Sequence, residues 1–307
     1  TSEAIVVSGS RIVRDGYNAP TPIMVLGQDE IKALAPTNIA DMVNQLPALA
    51  GSTTQTTNPS GVSGGYSGMN ALNLRNLGPT RTLILLDGKR VPYSNLTVGV
   101  DINTLPNALI KRVDVVTAGA SAVYGSDAVA GVVNFVLDKD YTGLKGRVQG
   151  GVTTYGDNES YVLSLTHGAK FADGRGHILI SGEHAYEDGV RNNPRSWYKG
   201  TTLFLNPNYT PTNGQPENLV MDHGAPITGA PGAIITSGPL KGIYFGENGS
   251  VANMAPGILT SGGTSIGSPD WRYFNIGQGD KAQDIAPEVS RQNIFARASY
   301  DLTDNIE

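Results

Sequence analysis

Four stretches of this chain alternate apolar and polar residues with a period of two, and no other feature constrains its fold as strongly. In 144–154, Leu144, Gly146, Val148, Gly150 and Val152 share one face, while Lys145, Arg147, Gln149 and Thr153 share the other. In 161–171, Tyr161, Leu163, Leu165, Ala169 and Phe171 oppose Ser164, Thr166 and Lys170. A third run sets Ile178 and Ile180 against His177, Ser181 and Glu183; a fourth sets Ile294, Ala296, Ala298, Tyr300 and Leu302 against Asn293, Arg297, Ser299 and Asp301. A period of two belongs to a β-strand with unlike surroundings on its two faces. Two architectures satisfy it: a sheet with its polar face in water, or a membrane β-barrel wall with its apolar face in lipid and its polar face in a wet lumen. The connections near 157–159 and 173–175 are short, and the one from 187 to 290 is very long. Short turns on one side and a long loop on the other is the barrel pattern, although the first outer connection is also short.

Composition supports a β-rich chain. Only 16% of the 307 residues are charged and 39 are Gly, which does not suit a long helical bundle. There is no Cys, so disulfides, Cys-ligated zinc and iron–sulfur clusters are excluded. A net charge of −5 lacks the basic surplus of a nucleic-acid binder. The segment 187–290 is rich in Gly, Pro, Asn and Thr, yet it holds Trp197, Tyr198, Phe204, Tyr209, Tyr244, Trp271 and Tyr273. That aromatic content suits a loop packed on itself better than a disordered linker.

Before residue 143 the signals differ. Residues 3–8 form a short run with β-branched members at its centre, and 11–22 read as linker, broken by Asp15-Gly16 and two Pro. Gln28–Leu34 and Asn38–Leu46 are expected to be short helices. In the second, Ile39, Met42, Val43 and Leu46 make one buried stripe and Thr37 is the expected N-cap. Residues 51–70 are low in complexity and read as a long exposed loop. Thr82–Leu86 is a strand that turns at Asp87-Gly88, a dipeptide that tolerates positive φ, and returns through Lys89-Arg90-Val91. Asn107–Lys111 reads as a short helix, Ser121–Val123 as a helical turn, and Val113–Thr117 and Gly131–Leu137 as strands. The sum is a small α/β unit with one mixed sheet.

Tests for catalytic chemistry find little. Gly61-Val62-Ser63-Gly64-Gly65 fits G-x-S-x-G, but it lacks the preceding strand and following helix that make a nucleophile elbow. His167, His177, His184 and His223 show no metal-ligand spacing, so no metal is expected. No phosphate-binding glycine loop occurs. No enzyme and no cofactor are expected. The strongest local signal is Ser121-Ala122-Val123-Tyr124-Gly125-Ser126-Asp127-Ala128-Val129-Ala130-Gly131-Val132-Val133-Asn134-Phe135, whose small residues permit close backbone approach.

With those residues in view, the chain resembles the N-terminal part of a TonB-dependent outer-membrane receptor or transporter. Glu3-Ala4-Ile5-Val6-Val7-Ser8 resembles the TonB box. Asn38 to Pro47 resembles the first helix of the family's plug domain. Leu72-Asn73-Leu74-Arg75 through Leu83-Ile84-Leu85-Leu86-Asp87-Gly88-Lys89-Arg90-Val91 resembles its arginine strand and the hairpin that follows. Val113 to Asn134 resembles the closing plug motif. Two departures stand out: Ala118-Gly119 and Arg75-Asn76 occupy places where the family commonly has Arg-Gly.

The resemblance implies an α+β plug domain followed by antiparallel transmembrane β-barrel strands, the N-terminal portion of a 22-stranded barrel. It divides the chain into a TonB box and periplasmic tether at 1–22, a plug at 23–143, and about four barrel strands at 144–307 with an extracellular loop at 187–290. Four strands cannot close a barrel, so the sequence is expected to be part of a longer chain. The resemblance further implies residence in the Gram-negative outer membrane and active import of a scarce nutrient. TonB, with its inner-membrane energising complex, would grip residues Glu3, Ala4, Ile5, Val6, Val7 and Ser8 by strand addition. Arg75 is the expected plug–barrel contact. The expected substrate-binding residues are Gln55, Asn58, Tyr66, Tyr93 and Asn95, in loops 52–68 and 92–99. The ligand class stays open: a small molecule, a glycan or a siderophore. A signalling receptor and a passive adhesin are the alternatives.

Overall fold

The structure, a computed structural model, describes residues 23–34, 37–58, 65–117, 120–191, 194–206, 208–226, 233–246, 249–255, 257–259, 264–271 and 284–302. The TonB-box-like run 3–8, the G-x-S-x-G stretch at 61–64 and the Ala118-Gly119 departure lie outside the described residues. In chain order the elements are β1 (Ile23–Leu26), α1 (Gln28–Leu34), α2 (Ile39–Val43), β2 (Thr82–Leu86), β3 (Lys89–Arg90), β4 (Ile110–Val116), α3 (Ser121–Tyr124), β5 (Gly131–Leu137), β6 (Gly143–Gly151), β7 (Ser160–Phe171) and β8 (Gly176–Glu187). Then come seven short strands, β9 (Thr202–Leu205), β10 (Asn218–Met221), β11 (Gly224–Pro226), β12 (Ile243–Phe245), β13 (Val251–Asn253), β14 (Ile258–Leu259) and β15 (Thr264–Ile266), and finally β16 (Val289–Tyr300). The chain divides into two compact units, one made of 1–189 with 287–307 and the other of Val190–Ala286.

The N-terminal strands form one five-stranded sheet in the order β1-β4-β5-β2-β3. Only β2 and β5 run parallel; the other pairs are antiparallel. The mixed sheet agrees with the sequence reading. Strand β1 was not foreseen: Pro20 and Pro22 mask a four-residue edge strand. The β2–β3 turn has Asp87 at φ 49° and Gly88 at φ 75°, as the dipeptide suggests. Asp87 then serves the sheet, its Oδ1 accepting from the Leu137 amide at 2.9 Å. The second helix is shorter than expected, and its N-cap is Asn38, not Thr37: the Asn38 side chain accepts from the Ala40 amide at 3.0 Å. The expected helix at 107–111 is a single 3-10 turn, Asn107–Leu109, because β4 begins at Ile110.

The core of this unit joins Ile39, Met42, Leu49, Leu74, Ile102, Leu109, Val113 and Phe135, all buried. Asn134 is buried within β5, and its Oδ1 accepts from the Gly88 amide at 2.9 Å. Gly131 is obligatory: its φ is +141°, and a Cβ there would overlap the Val116 carbonyl and the Leu74 side chain.

Strands β6, β7, β8 and β16 pair in the order β16-β8-β7-β6, all antiparallel. The four alternating stretches read from the sequence are these four strands, in one sheet. Leu144, Val148, Leu163, Leu165, Ile180 and Ile294 stand exposed on one face, Ile294 at 89%. Tyr161 stacks on Tyr186 at one end of that face, and Phe171 stacks on Tyr300 at the other. The opposite face is turned onto the N-terminal unit.

The unit Val190–Ala286 contains a β9–β10 pair, a β12–β13 pair and the three-stranded sheet β11-β15-β14. Met254 and Trp271 form its buried centre, with Tyr198, Ile234 and Tyr244 packed against them and His223 stacked on Trp271. The expectation of a segment packed on itself through its aromatics is met, with more strand than its composition suggests.

Candidate functional site

Two places in the first unit carry the features a functional site would need. The first is a cluster of polar loops at one end of the sheet. Loop 52–58 is held by Thr53, which bridges to Ala71 through both backbone amides, and by the Thr54 and Thr57 hydroxyls, 3.1 Å apart. Asn58 donates its side-chain amide to the Tyr66 carbonyl at 2.9 Å. Beneath the loop lies a buried amide cluster. The Asn38 and Asn70 amides both donate to the Asn103 Oδ1, and Asn103 donates to the Gly68 carbonyl at 3.1 Å. Asp101 receives the backbone N–H of Asn70 and of Asn103, each at 3.1 Å. Burial holds the Asp101 carboxyl above the usual Asp range; those two amides and the Arg291 charge oppose the shift. A cavity of about 410 Å³ opens above this cluster, lined by Ser52, Thr53, Thr57, Asn58, Tyr66 and Val98 among others.

The second place is the seam with the four-stranded sheet. Arg291 on β16 is buried; its Nη2 donates to the Thr37 carbonyl at 2.8 Å and its Nη1 lies 3.7 Å from Glu183 of β8. Asn293 donates to the Leu105 carbonyl at 3.1 Å, and Gln55 donates to the Pro287 carbonyl at 2.9 Å. At the opposite end of the sheet, His177 Nε2 sits 2.9 Å from the Tyr141 carbonyl. Apolar groups join in: Leu179 is fully buried within the N-terminal core, and Phe295 packs against it. Gly168 lets the Tyr141 carbonyl pass so close that a Cβ would overlap it.

A sheet of this kind wrapped on a small α/β unit invites comparison with known proteins. Residues 15–132 match the family model of the TonB-dependent receptor plug domain. Over those residues the chain is similar to the plug domain of TonB-dependent receptors. Among solved structures, a mutant of the ferric enterobactin receptor of Pseudomonas aeruginosa is 20% identical with a TM-score of 0.47; the match covers 64% of this chain and 28% of that one. The unliganded ferric citrate transporter FecA is 20% identical with a TM-score of 0.48, covering 62% and 28%. The siderophore receptor PirA of Acinetobacter baumannii is 21% identical with a TM-score of 0.45, covering 57% and 26%. This chain therefore spans roughly a quarter of the length of these structures. The plug match falls on its N-terminal unit, and the sheet of β6, β7, β8 and β16, termed the wall below, packs one face on that unit.

Within the plug-like unit, two of the five expected substrate residues meet at the cavity: Asn58 and Tyr66. The other three do not line it. Gln55 is turned to the wall at Pro287. Tyr93 donates its hydroxyl to the Thr80 carbonyl at 2.9 Å, and Asn95 accepts from the Thr97 amide at 2.8 Å within its own turn. Ser52, Thr53 and Val98 were missed. Thr53 is drawn in by its bridge to Ala71, and Val98 by packing with Met69 and Ala71, contacts between loops far apart in sequence that no local pattern displays.

Arg75 is exposed and donates to the Ala130 carbonyl at 2.9 Å, a bond inside the plug. Hydrogen bonds to the described part of the wall are made by Thr37, Gln55, Leu105 and Tyr141, among others. Arg75 and Asn76 both have left-handed backbone, φ 53° and 56°. Asn is among the residues that tolerate that region best after Gly, which explains how Asn76 can stand where the family commonly has Gly. Asp127 in the closing motif accepts from Arg90 at 2.6 Å, tying that motif to the β2–β3 hairpin.

Proposed function

We propose that this receptor imports a scarce nutrient across the Gram-negative outer membrane, with energy delivered by TonB through residues Glu3–Ser8. The observation that carries the reading is the seam. A plug that donates and accepts hydrogen bonds along the wall's inner face occludes it. A solute then passes only if work is done on the plug. An outer membrane holds no ATP or ion gradient of its own, so that work comes from a partner reached through the N-terminal run. Ile5, Val6 and Val7 suit capture as an added strand, because β-branched residues favour extended backbone.

The wall supports the membrane part of the reading. Its outward face is an apolar band bounded by the Tyr161–Tyr186 pair at one edge and the Phe171–Tyr300 pair at the other. From Tyr161 to Phe171, at about 3.3 Å per residue and a tilt near 45°, the band is about 23 Å tall, close to the ~25 Å apolar height of outer-membrane barrels. Aromatic girdles at both edges of such a band are the interfacial pattern. The plug's polar loops near the cavity are the proposed substrate contacts, with Asn58 and Tyr66 first.

The test is uptake by cells expressing the full-length receptor with Val6→Pro. Proline cannot donate the backbone bond that strand addition needs. Uptake should be abolished and ligand binding kept. Undiminished uptake would refute TonB capture at this run.

A further inference from the structure

We propose, resting on the import reading above, that the ligand of the plug cavity is a neutral oligosaccharide and not an anionic metal chelate. Residues 51–74 and 91–100, which include the loops over the cavity, contain no Asp, Glu, Lys or Arg. The charges that directly follow these stretches are Arg75, which donates to the Ala130 carbonyl, and Asp101, which is negative and turned onto the amides of Asn70 and Asn103. An anionic ligand needs cations or a cluster of aimed N–H donors to replace its water. Among the described residues, the cavity lining offers no cationic side chain.

What the loops do offer is side chains that both donate and accept. Eleven of the 18 described residues in 51–58 and 65–74 are Ser, Thr, Asn, Gln or Tyr. A sugar hydroxyl also donates and accepts, so each can be matched by a hydroxyl or an amide in either sense. The geometry leaves acceptors for this purpose: Asn58 spends its amide N–H on the Tyr66 carbonyl. Tyr66 adds a half-buried ring beside these groups, an apolar face of the kind that covers the C–H side of a pyranose. At about 410 Å³ the cavity falls in the range of small-ligand sites. The unit Val190–Ala286 is also balanced, with six Lys or Arg and six Asp or Glu.

The experiment is calorimetry on the purified full-length receptor with maltotetraose, cellotetraose and xylotetraose, set against ferric citrate, ferric enterobactin and a neutral ferric trihydroxamate. At least one tetrasaccharide should bind, with an affinity unchanged between low and high NaCl, since no ion pair forms. Tyr66→Ala should weaken it about tenfold. Tyr66→Phe should hold it within a few-fold, which separates lost stacking from a misfolded loop. Failure of all three tetrasaccharides, or binding of any of the ferric chelates that Tyr66→Ala or Asn58→Asp weakens, overturns the proposal. The import reading fails separately: a tetrasaccharide that binds but enters Val6→Pro cells normally refutes TonB capture and leaves the ligand class standing.

Discussion

Strands β5 and β8 lie in the same compact unit and are both long, yet their residues obey different rules. In β5, Gly131–Leu137, every residue but Val136 is buried, and the sequence Gly-Val-Val-Asn-Phe-Val-Leu runs apolar almost without a break. In β8, Gly176–Glu187, the odd positions from His177 to Ala185 are buried and even positions mostly are not. The plug sheet has protein on both faces, so nothing selects polar residues at alternate sites. The wall has the plug on one face only. Alternation therefore reports a difference between two surroundings. It does not report which face is polar: Leu179 and Ala185 are inward and apolar, beside inward His177, Ser181 and Glu183.

The largest test of this contrast pairs Phe135→Ala with Ile294→Ala. Phe135 is fully buried in the plug core, and its truncation should cost about 3–5 kcal/mol. Hydrogen exchange of the β4 and β5 amides in the intact protein should then accelerate at least about a hundredfold. Ile294, 89% exposed on the outward face, should leave those amides unchanged. Equal effects would break the comparison.

Next is the seam. Arg291→Met removes the donor to Thr37 and leaves Glu183 buried beside no full partner on β16, a loss of about 3 kcal/mol. Exchange should rise around Thr37 and the start of α2. Adding Glu183→Gln should restore part of the protection, because the stranded charge is gone. No recovery in the double variant would mean that the Thr37 bond alone carries the effect.

How much of this was legible follows from the same contrast. The four wall strands could be read because alternation is local. The register that places Arg291 against Glu183 and under Thr37 could not, since it links residues up to 254 apart. Arg291 passed unnoticed for that reason, while Glu183 was already placed on the polar face. Phe295 and Leu179 broke the pattern because the plug, not water, covers them. Within the plug, hairpin chemistry at Asp87-Gly88 announced itself. The cap did not: Thr37 and Asn38 are both good capping residues, and the choice falls to Asn38 because its amide also reaches Asn103. At the cavity, residue type pointed to Asn58 and Tyr66, but it could not exclude Gln55, Tyr93 and Asn95, whose side chains are spent on partners set by the fold.

Two glycines on neighbouring strands sharpen the comparison at lower energy. Gly168 faces the plug, where an added methyl would overlap the Tyr141 carbonyl; Gly182 faces outward with nothing within 4 Å. Gly168→Ala should cost about 1–3 kcal/mol and raise exchange near Tyr141. Gly182→Ala should stay within about 0.5 kcal/mol of the parent. A penalty at both would mean that the outward face is packed against something in the intact protein.

The smallest effect belongs to Asp101, under the cavity loops. Burial raises its carboxyl above the usual Asp range, with the Asn70 and Asn103 amides and Arg291 only partly offsetting this. The folded state therefore holds a proton to higher pH than the unfolded chain does. Stability then rises as pH falls through the raised folded value, and the gain is complete below the ordinary Asp value near ~3.9. At neutral pH the cost of the buried charge is present in full. Asp101→Asn keeps a side-chain oxygen to accept both amides and removes the charge. It should raise the melting temperature slightly at neutral pH, by the equivalent of less than about 1 kcal/mol, and should flatten the acid-side dependence. A lower melting temperature at neutral pH would show that the two amides, which ionised carboxylates accept more strongly than neutral amides do, outweigh the burial they oppose.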